Sequence, residues 1–536
     1  ASKVRFLRQN KAGNKMPTGE IRVPIAVPFG GERGDIPDHQ LDANYFRQVQ
    51  NMYVDEQGRL TLRDGYEQVA SSGPGGRIMG LAHFRTAAGA DRTVATNRTE
   101  IHTFDGTSWT DRTGSTALSG STTQLSRFQV FPTSGVFSII HVNGKDDPQT
   151  WNGSASTFSD LGGSPPVAID IAAAANRVLL LINPDNVRIS DFDDPGTWPV
   201  LSTVRLTDTG DRMIGMERIG RLAVAIYGEG SQWVARAQVG SFPFRFEKVD
   251  EKPGPISNAC VVPDGNVHYY LGIDGIVYQF NGVNVVPWHR GMQNYVKTEL
   301  NFGNRAMSHG VLIRRIRHIF WFFPNTGAPN RGVYLDLDRR AMGRLSFGEI
   351  TASAQWATVA LTTWNSLSSY TWTNISGTYA SWNSFGGAAE QRELLGDSSG
   401  QVHAFGSGQG GDNGNAIEGV WELPLRPWAG PEMSFIPLEF ETYFRQTTNS
   451  TTIEPGARVS DTLMTDPSVT ALANFDITTD QRNSIDLSSV AGADGKKFVY
   501  IRHRVSTSKE GGKVSWLGGV LSGSGSEVTG GPYGTT

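Results

Sequence analysis

The sequence predicts a mainly β fold, and three observations carry that expectation. The chain has 63 Gly and 26 Pro among 536 residues, about a sixth of the total. With no collagen period, this is turn chemistry for many short strands. The second observation is a recurring unit of strand, tight turn and strand. The third is a change of texture after residue 410, where longer strand-like runs replace the short ones. Hydrophobic residues at 38% and charged residues at 19% place the chain among globular proteins.

The recurring unit is clearest in "VHYYLGIDGIVYQFNG", Val267 to Gly282, which turns at Asp274-Gly275 and again at Asn281-Gly282. Similar turns are centred at Asp105-Gly106, at 143 to 153, at Asn183 to Asn186, and at Gly228 to Gly230. Two more lie at Asn325 to Asn330 and at Ser398 to Gly400. They are spaced roughly 40 to 70 residues apart, mostly near the shorter figure, close to the ~40–50 residues of a four-stranded propeller blade. A lone hairpin cannot bury its apolar face, whereas blades stacked around an axis bury both faces and protect their edges. Residues 76–410 are therefore expected to form a six- or seven-bladed β-propeller. "MSFIPLEFETYFRQ", "FDITTDQRNSIDLSSV" and "KKFVYIRHRVSTS" predict an additional β-sandwich-like platform domain over 411–536, ending in a flexible tail. Residues 1–75 read as an N-terminal extended arm ending in a hairpin at Gln57-Gly58. Helix is expected only around Asp42–Val49 and Gly291–Leu300.

Within the propeller, Thr362 to Phe385 is an insert of 24 residues without a charge. It repeats "TWNSL", "TWTNI" and "SWNSF" around Trp364, Trp372 and Trp382, with Tyr370 and Tyr379 between them. Such a segment either stacks its aromatics on a neighbouring blade or forms a partner interface, where aromatics concentrate.

The formal charge of −4 excludes a basic nucleic-acid clamp but not DNA as a passing neighbour. The most basic stretch, "LIRRIRH", puts Arg314, Arg315 and Arg317 in a strand that either lines a DNA path or is solvated beside the buried "IFWFF". The single cysteine, Cys260, reads as buried filler and forms no internal disulfide. No run approaches the ~18 apolar residues of a membrane helix, and the basic N-terminus lacks the apolar core of a signal peptide. The expected product is soluble, without a membrane span, and made in a cytoplasm.

Catalytic signatures are sparse. "GSGQGG" at Gly406 to Gly411 matches G-x-G-x-x-G, but "DNGNAIEGVW" follows it where a phosphate-binding helix would be needed, so it reads as a linker. "SDFDDPGTW", Ser190 to Trp198, approaches the Asp-box turn of sialidase-type propellers but occurs once and lacks its Ser. Asp193 and Asp194 are adjacent and make no glycosidase pair. No two histidines have ligand spacing on one element. The expectation is a protein that is not an enzyme and has no cofactor or metal. A glycan-cleaving or glycan-binding propeller acting on host surface sugar is the alternative.

Several motifs occur in a recognisable order. "NMYVDEQGRLTLRDGYEQV" is similar to the N-x-Y-x(n)-G-x-L-x-x-R-x-G opening of certain short-tailed phage tail proteins. "IDIAAAANRVLLL…NVRISDFDDPGTWP", "DRMIGMERIGRLAVAIYGEGSQWV", "CVVPDGNVHYYLGIDGIVYQFNG" and "GVYLDLDRRAMGRLSF" follow in that family's order. Over residues 44–520 the chain resembles the podovirus packaged-DNA stabilisation, or tail hub (tail nozzle), family. The shared order is a stronger signal than any single motif. The resemblance implies a propeller with a platform domain, assembled as a hexameric ring in the virion tail. It further implies contacts with the head-to-tail adaptor protein, with a tail fibre or spike and with a plug or needle, and double-stranded DNA passing through the lumen. The Trp-rich insert and the tail "SGSGSEVTGGPYGTT" depart from the family.

Overall fold

The computed structural model describes residues 19–37, 40–115, 117–121, 123–133, 136–206, 210–240, 242–358, 390–406, 411–425, 433–446, 451–460, 470–477, 481–487, 490, 498–507 and 514–527. Glycine- and Asx-rich turns cut the chain into short strands. In the stretch Val267–Leu271 to Val277–Phe280, Asp274 accepts the Ile276 amide at 3.1 Å and the Tyr278 hydroxyl at 2.7 Å. Gly275 takes a φ of 77°, which any side chain would resist. Asn97, Asn143, Asn281 and Asp397 close turns in the same way, each accepting two backbone amides through its side-chain oxygen.

These hairpins build seven successive antiparallel sheets. Sheets one to five are four-stranded meanders, from Gly80–Arg85 through Trp109–Asp111 in the first to Val261–Asp264 through Val285–His289 in the fifth. Sheet six opens with His309–Ile313, His318–Pro324, Pro329–Asp336 and Ala341–Ser346. Sheet seven pairs Ile350–Thr358, Glu390–Asp397 and Val402–Phe405, then takes Tyr66–Gln68 from the N-terminal region as its next strand. The first strand of each sheet packs against the first strand of the next, and Ile350–Thr358 returns to Gly80–Arg85. The fold is thus mainly β and propeller-like.

Six of the seven turns expected from sequence lie between the second and third strands of sheets two to seven. The exception is Asp105-Gly106, which joins the third and fourth strands of sheet one. The equivalent turn there is at 97–100, because sheet one carries Asx-capped turns at both places. Gln293–Glu299 is helical as expected. The helix expected over Asp42–Val49 is absent. Asp42 caps a turn through the Asn44 amide at 2.8 Å, and Phe46 bonds to Gly31 before Gln48–Gln50 enters a sheet. Tertiary pairing outweighs a weak helical pattern there.

The N-terminal arm is not a separate piece. Gln48–Gln50 pairs with Ala341–Ser346 on one side and Glu418–Glu422 on the other, so sheet six runs on through Glu418–Glu422, Phe498–Thr507 and Thr451–Ser460. Gly19–Ile25, Met52–Val54 and Leu60–Leu62 join Met433–Gln446, Gln481–Asp486 and Val514–Glu527 in an eighth, six-stranded sheet. This sheet faces the extension of sheet six over one apolar core that includes Trp421, Phe440, Phe444, Val505 and Trp516. Two sheets thus share one core in the C-terminal region. The expected boundary at 410 shifts slightly, since Gly411–Asp412 and Asn415–Ala416 still belong to sheet seven.

Candidate functional site

Converging first strands leave a cavity of about 180 Å³ on the axis, lined in part by Arg127, Glu217, His309 and Ser353. Met79, Leu125 and Ala259, from the segments leading into three of these strands, pack together at its wall. Met79 also lines a groove of about 600 Å³ with Arg77, Asn97, Arg98 and Ser398. Met79 therefore lines both the outer groove and the axial cavity.

Arg127 opens the first strand of sheet two and ties three sheets together. Its Nε donates to Asp170 Oδ1 at 3.0 Å and its Nη2 to Glu217 Oε2 at 3.2 Å. Asp170, fully buried, also accepts the Met216 and Ile171 amides at 2.8 and 2.9 Å. Burial pushes both carboxyls above their usual range, while the guanidinium between them pulls back. Burial also opposes the charge on Arg127, but its two carboxylate partners outweigh burial and hold its pKa above the ordinary value. His309 donates from Nδ1 to the Met307 carbonyl at 3.2 Å, which leaves Nε2 as a bare acceptor. That nitrogen and Ser353 Oγ are buried without a partner. Burial pushes the His309 pKa down to about 4, so the ring is neutral at pH 7. The chemistry of the cavity is polar and acceptor-rich. Among the described residues, no group of three His, Cys, Asp or Glu side chains is placed to hold a metal ion.

A second buried polar cluster sits where ring and platform meet. Arg63, 1% exposed, sends Nε to Asn51 Oδ1 at 3.1 Å, Nη1 to Asp412 Oδ1 at 2.8 Å and Nη2 to the Ser346 carbonyl at 2.9 Å. Its guanidinium lies 3.8 Å above the Phe347 ring. Asn51 holds φ at 55° and bonds the Glu418 carbonyl at 2.7 Å and the Ser346 amide at 2.8 Å. Nearby, Glu32 accepts Arg344 Nε at 2.8 Å and the Val49 amide at 3.0 Å. These contacts join the N-terminal strands, sheets six and seven, and the platform. Residue-by-residue sequence reading did not single out Asn51 or Arg63. The signal was present in the spacing of Asn51, Tyr53, Gly58, Leu60, Arg63 and Gly65.

The basic stretch expected as a strand is instead a turn. Arg314–Arg317 link His309–Ile313 to His318–Pro324, with Arg317 at a φ of 52°. Arg314 Nε donates to Gln355 at 3.1 Å, Arg315 pairs with Asp64, and Arg317 Nε reaches Asp338 at 3.0 Å with Asp264 at 3.6 Å. The structure brings these three arginines to one turn and supplies Arg315 and Arg317 with carboxylate partners. Trp364, Tyr370, Trp372, Tyr379 and Trp382 lie outside the described residues. Their segment departs at Thr358 and returns at Glu390, two residues paired across a hairpin of sheet seven. That end of the ring carries the other first-to-second-strand turns, Arg314–Arg317 included. The Ser190–Trp198 loop is an Asp-capped turn, with Asp194 Oδ1 accepting the Gly196 amide at 2.9 Å and Trp198 buried over it.

No family model matches the chain, and no curated protein matches its sequence. Among solved structures, BamB from Moraxella catarrhalis is similar at 13% identity and a TM-score of 0.35, over 61% of this chain and 82% of that one. The computationally designed Ika8 protein is similar at 12% identity and a TM-score of 0.34, over 64% of this chain and 99% of the design.

Proposed function

We propose that this chain is a subunit of the tail nozzle of a short-tailed phage, a structural and non-enzymatic part of the virion. The propeller would have seven blades, one for each first strand in the closed circuit. The observation that carries the reading is the Asn51–Arg63 junction. The residues with which the family-like motifs open are those that weld ring to platform: Asn51 and Arg63 by hydrogen bonds, Leu60 in the core, and Gly58 at a φ of 78° in the hairpin turn.

The proposed mechanism is mechanical. Ring sheets with both faces packed are stiff, and continuous pairing from sheet six into the platform makes each subunit one stave. Six staves would surround a lumen that extends the DNA channel below the portal and its adaptor. They would retain packaged DNA, release it on ejection, and carry fibre or spike and plug contacts. Negative-stain images of the purified chain mixed with portal–adaptor complexes are expected to show rings with a central hole below the adaptor. A monodisperse monomer that never joins those complexes would overturn the reading.

A further inference from the structure

Exposed apolar side chains are concentrated at one end of the ring, where each sheet's first-to-second and third-to-fourth strand turns lie. Leu222 is 62% exposed, Val239 105% and Val283 67%. They occupy three turns of sheets four and five, and these turns touch. The Ala237 amide donates to the Leu222 carbonyl at 2.8 Å, and Arg236 donates to the Gly282 carbonyl. A Cβ placed on Gly282 would stand 3.3 Å from Ile219 Cδ1, so the third turn abuts the first.

Arginines surround the three tips. Arg218 donates to the Gly220 carbonyl of its own turn at 2.7 Å, and Arg221 pairs with no carboxylate among the described residues. Arg245 and Arg236 share Glu247, at 2.9 and 3.6 Å. Asp250 accepts the Val285 amide at 2.9 Å beside the third tip, so four guanidiniums face two carboxylates, Glu247 and Asp250, which leaves the patch cationic by two charges. Asp193 and Asp194, on the sheet-three loop, limit it on one side.

We propose that this patch docks on an anionic lipid surface. The shape favours lipid over a protein partner. Three separate, protruding aliphatic tips would need three matching pockets on a protein, whereas the headgroup–acyl boundary accepts any small apolar projection. The charge is complementary, because the arginines would lie at the level of anionic headgroups while the tips enter beneath them. This inference does not depend on the nozzle reading. It concerns the surface of the single chain.

The test is co-sedimentation of the full chain with vesicles of phosphatidylethanolamine and phosphatidylglycerol, and with phosphatidylcholine vesicles alone. The wild-type chain is expected to bind the anionic vesicles, more weakly at high salt, and to bind phosphatidylcholine at least about tenfold less. Leu222→Ser/Val239→Ser/Val283→Ser is expected to reduce binding by about tenfold or more with its circular dichroism unchanged, since these side chains support no core. Arg221→Ala/Arg245→Ala is expected to bind the anionic vesicles more weakly and with a smaller salt dependence while keeping its fold, and an unchanged salt dependence would overturn the charge argument. Failure of the wild-type chain to bind, or equal binding by the triple variant, would overturn the proposal. A triple variant that instead loses self-association in sedimentation velocity, with vesicle binding unaltered, would identify the face as a contact between copies and overturn it too.

Discussion

The ring and the platform use the same secondary structure but assemble it in opposite ways. Sheets one to five are made of strands consecutive in sequence, each paired to the one before it. The platform pairs strands from opposite ends of the chain. Gly19–Ile25 lies along Val514–Glu527, Thr61 bonds Ser515 at 2.9 Å, and Arg22 bonds Glu441 at 2.8 Å. Local pairing closes small loops, while the platform must order hundreds of residues before its contacts form. The difference teaches that sheets one to five can be built one by one, whereas sheet seven and the platform require segments from both ends of the chain.

Acid gives the largest expected separation of the two. In the ring, burial holds the pKa values of His141, His268, His289 and His309 down near 4, and in the platform it holds His503 near 3. Below about pH 6.5 the unfolded chain takes up protons that these rings refuse, so stability falls as pH drops toward the folded values. By pH 5 each site costs about 2 kcal/mol, or roughly 8 kcal/mol in the ring against 2 in the platform. Glu32, Asp170, Glu217 and Glu393, whose pKa values are raised by desolvation, act in the opposite sense at the acid end. Hydrogen exchange followed from pH 7 to 5 is expected to show ring amides losing protection first. Equal loss in both regions would break the comparison.

The junction is the next test. Arg63→Ala removes the guanidinium shared by Asn51, Ser346 and Asp412 and leaves a part-buried carboxylate unpaired, a loss of about 3–5 kcal/mol. Scanning calorimetry is expected to resolve two transitions where the wild-type chain shows one. Arg63→Lys is not expected to rescue, because a point charge cannot reproduce the three-way fork.

His503→Phe addresses the platform alone. His503 stacks on Trp421 at 4.5 Å and 8°, with Phe440 and Phe444 around it, and neither ring nitrogen has a partner. Removing the two unsatisfied nitrogens is expected to stabilise the platform by about 1 kcal/mol and to abolish its acid response, read from the same exchange experiment. The smallest effect belongs to a single ring turn. Gly275→Ala, at a φ of 77° with its new Cβ 2.9 Å from the Gln293 carbonyl, is expected to cost about 1–2 kcal/mol in chemical denaturation.

What could be read from the sequence follows the same division. The turns of sheets two to seven were visible because Asp, Asn and Gly act on their immediate neighbours. The helix expected at Asp42–Val49 failed because Phe46 and Gln48–Gln50 are held by Gly31 and by strands hundreds of residues away. Arg314–Arg317 looked like strand because the four residues lie between two apolar runs, Val311 to Ile313 and Ile319 to Phe323, that are themselves strand. Their carboxylate partners, Asp64, Asp264 and Asp338, lie on segments that periodicity cannot bring together. The axial cluster of Arg127, Asp170 and Glu217 was invisible for the same reason, since its members are 43 and 90 residues from the arginine.

By itself the sequence determined that this is a mainly β protein of repeated hairpins, with short strands giving way to long ones after residue 410. Those are consequences of local backbone preference and of side-chain alternation, which depend on near neighbours. Only the tertiary structure decided that an N-terminal strand completes sheet seven, that sheet six continues into the platform, and that Arg63 locks the two together. Each of those joins residues far apart in the chain, through hydrogen bonds and burial that exist only once the chain is folded.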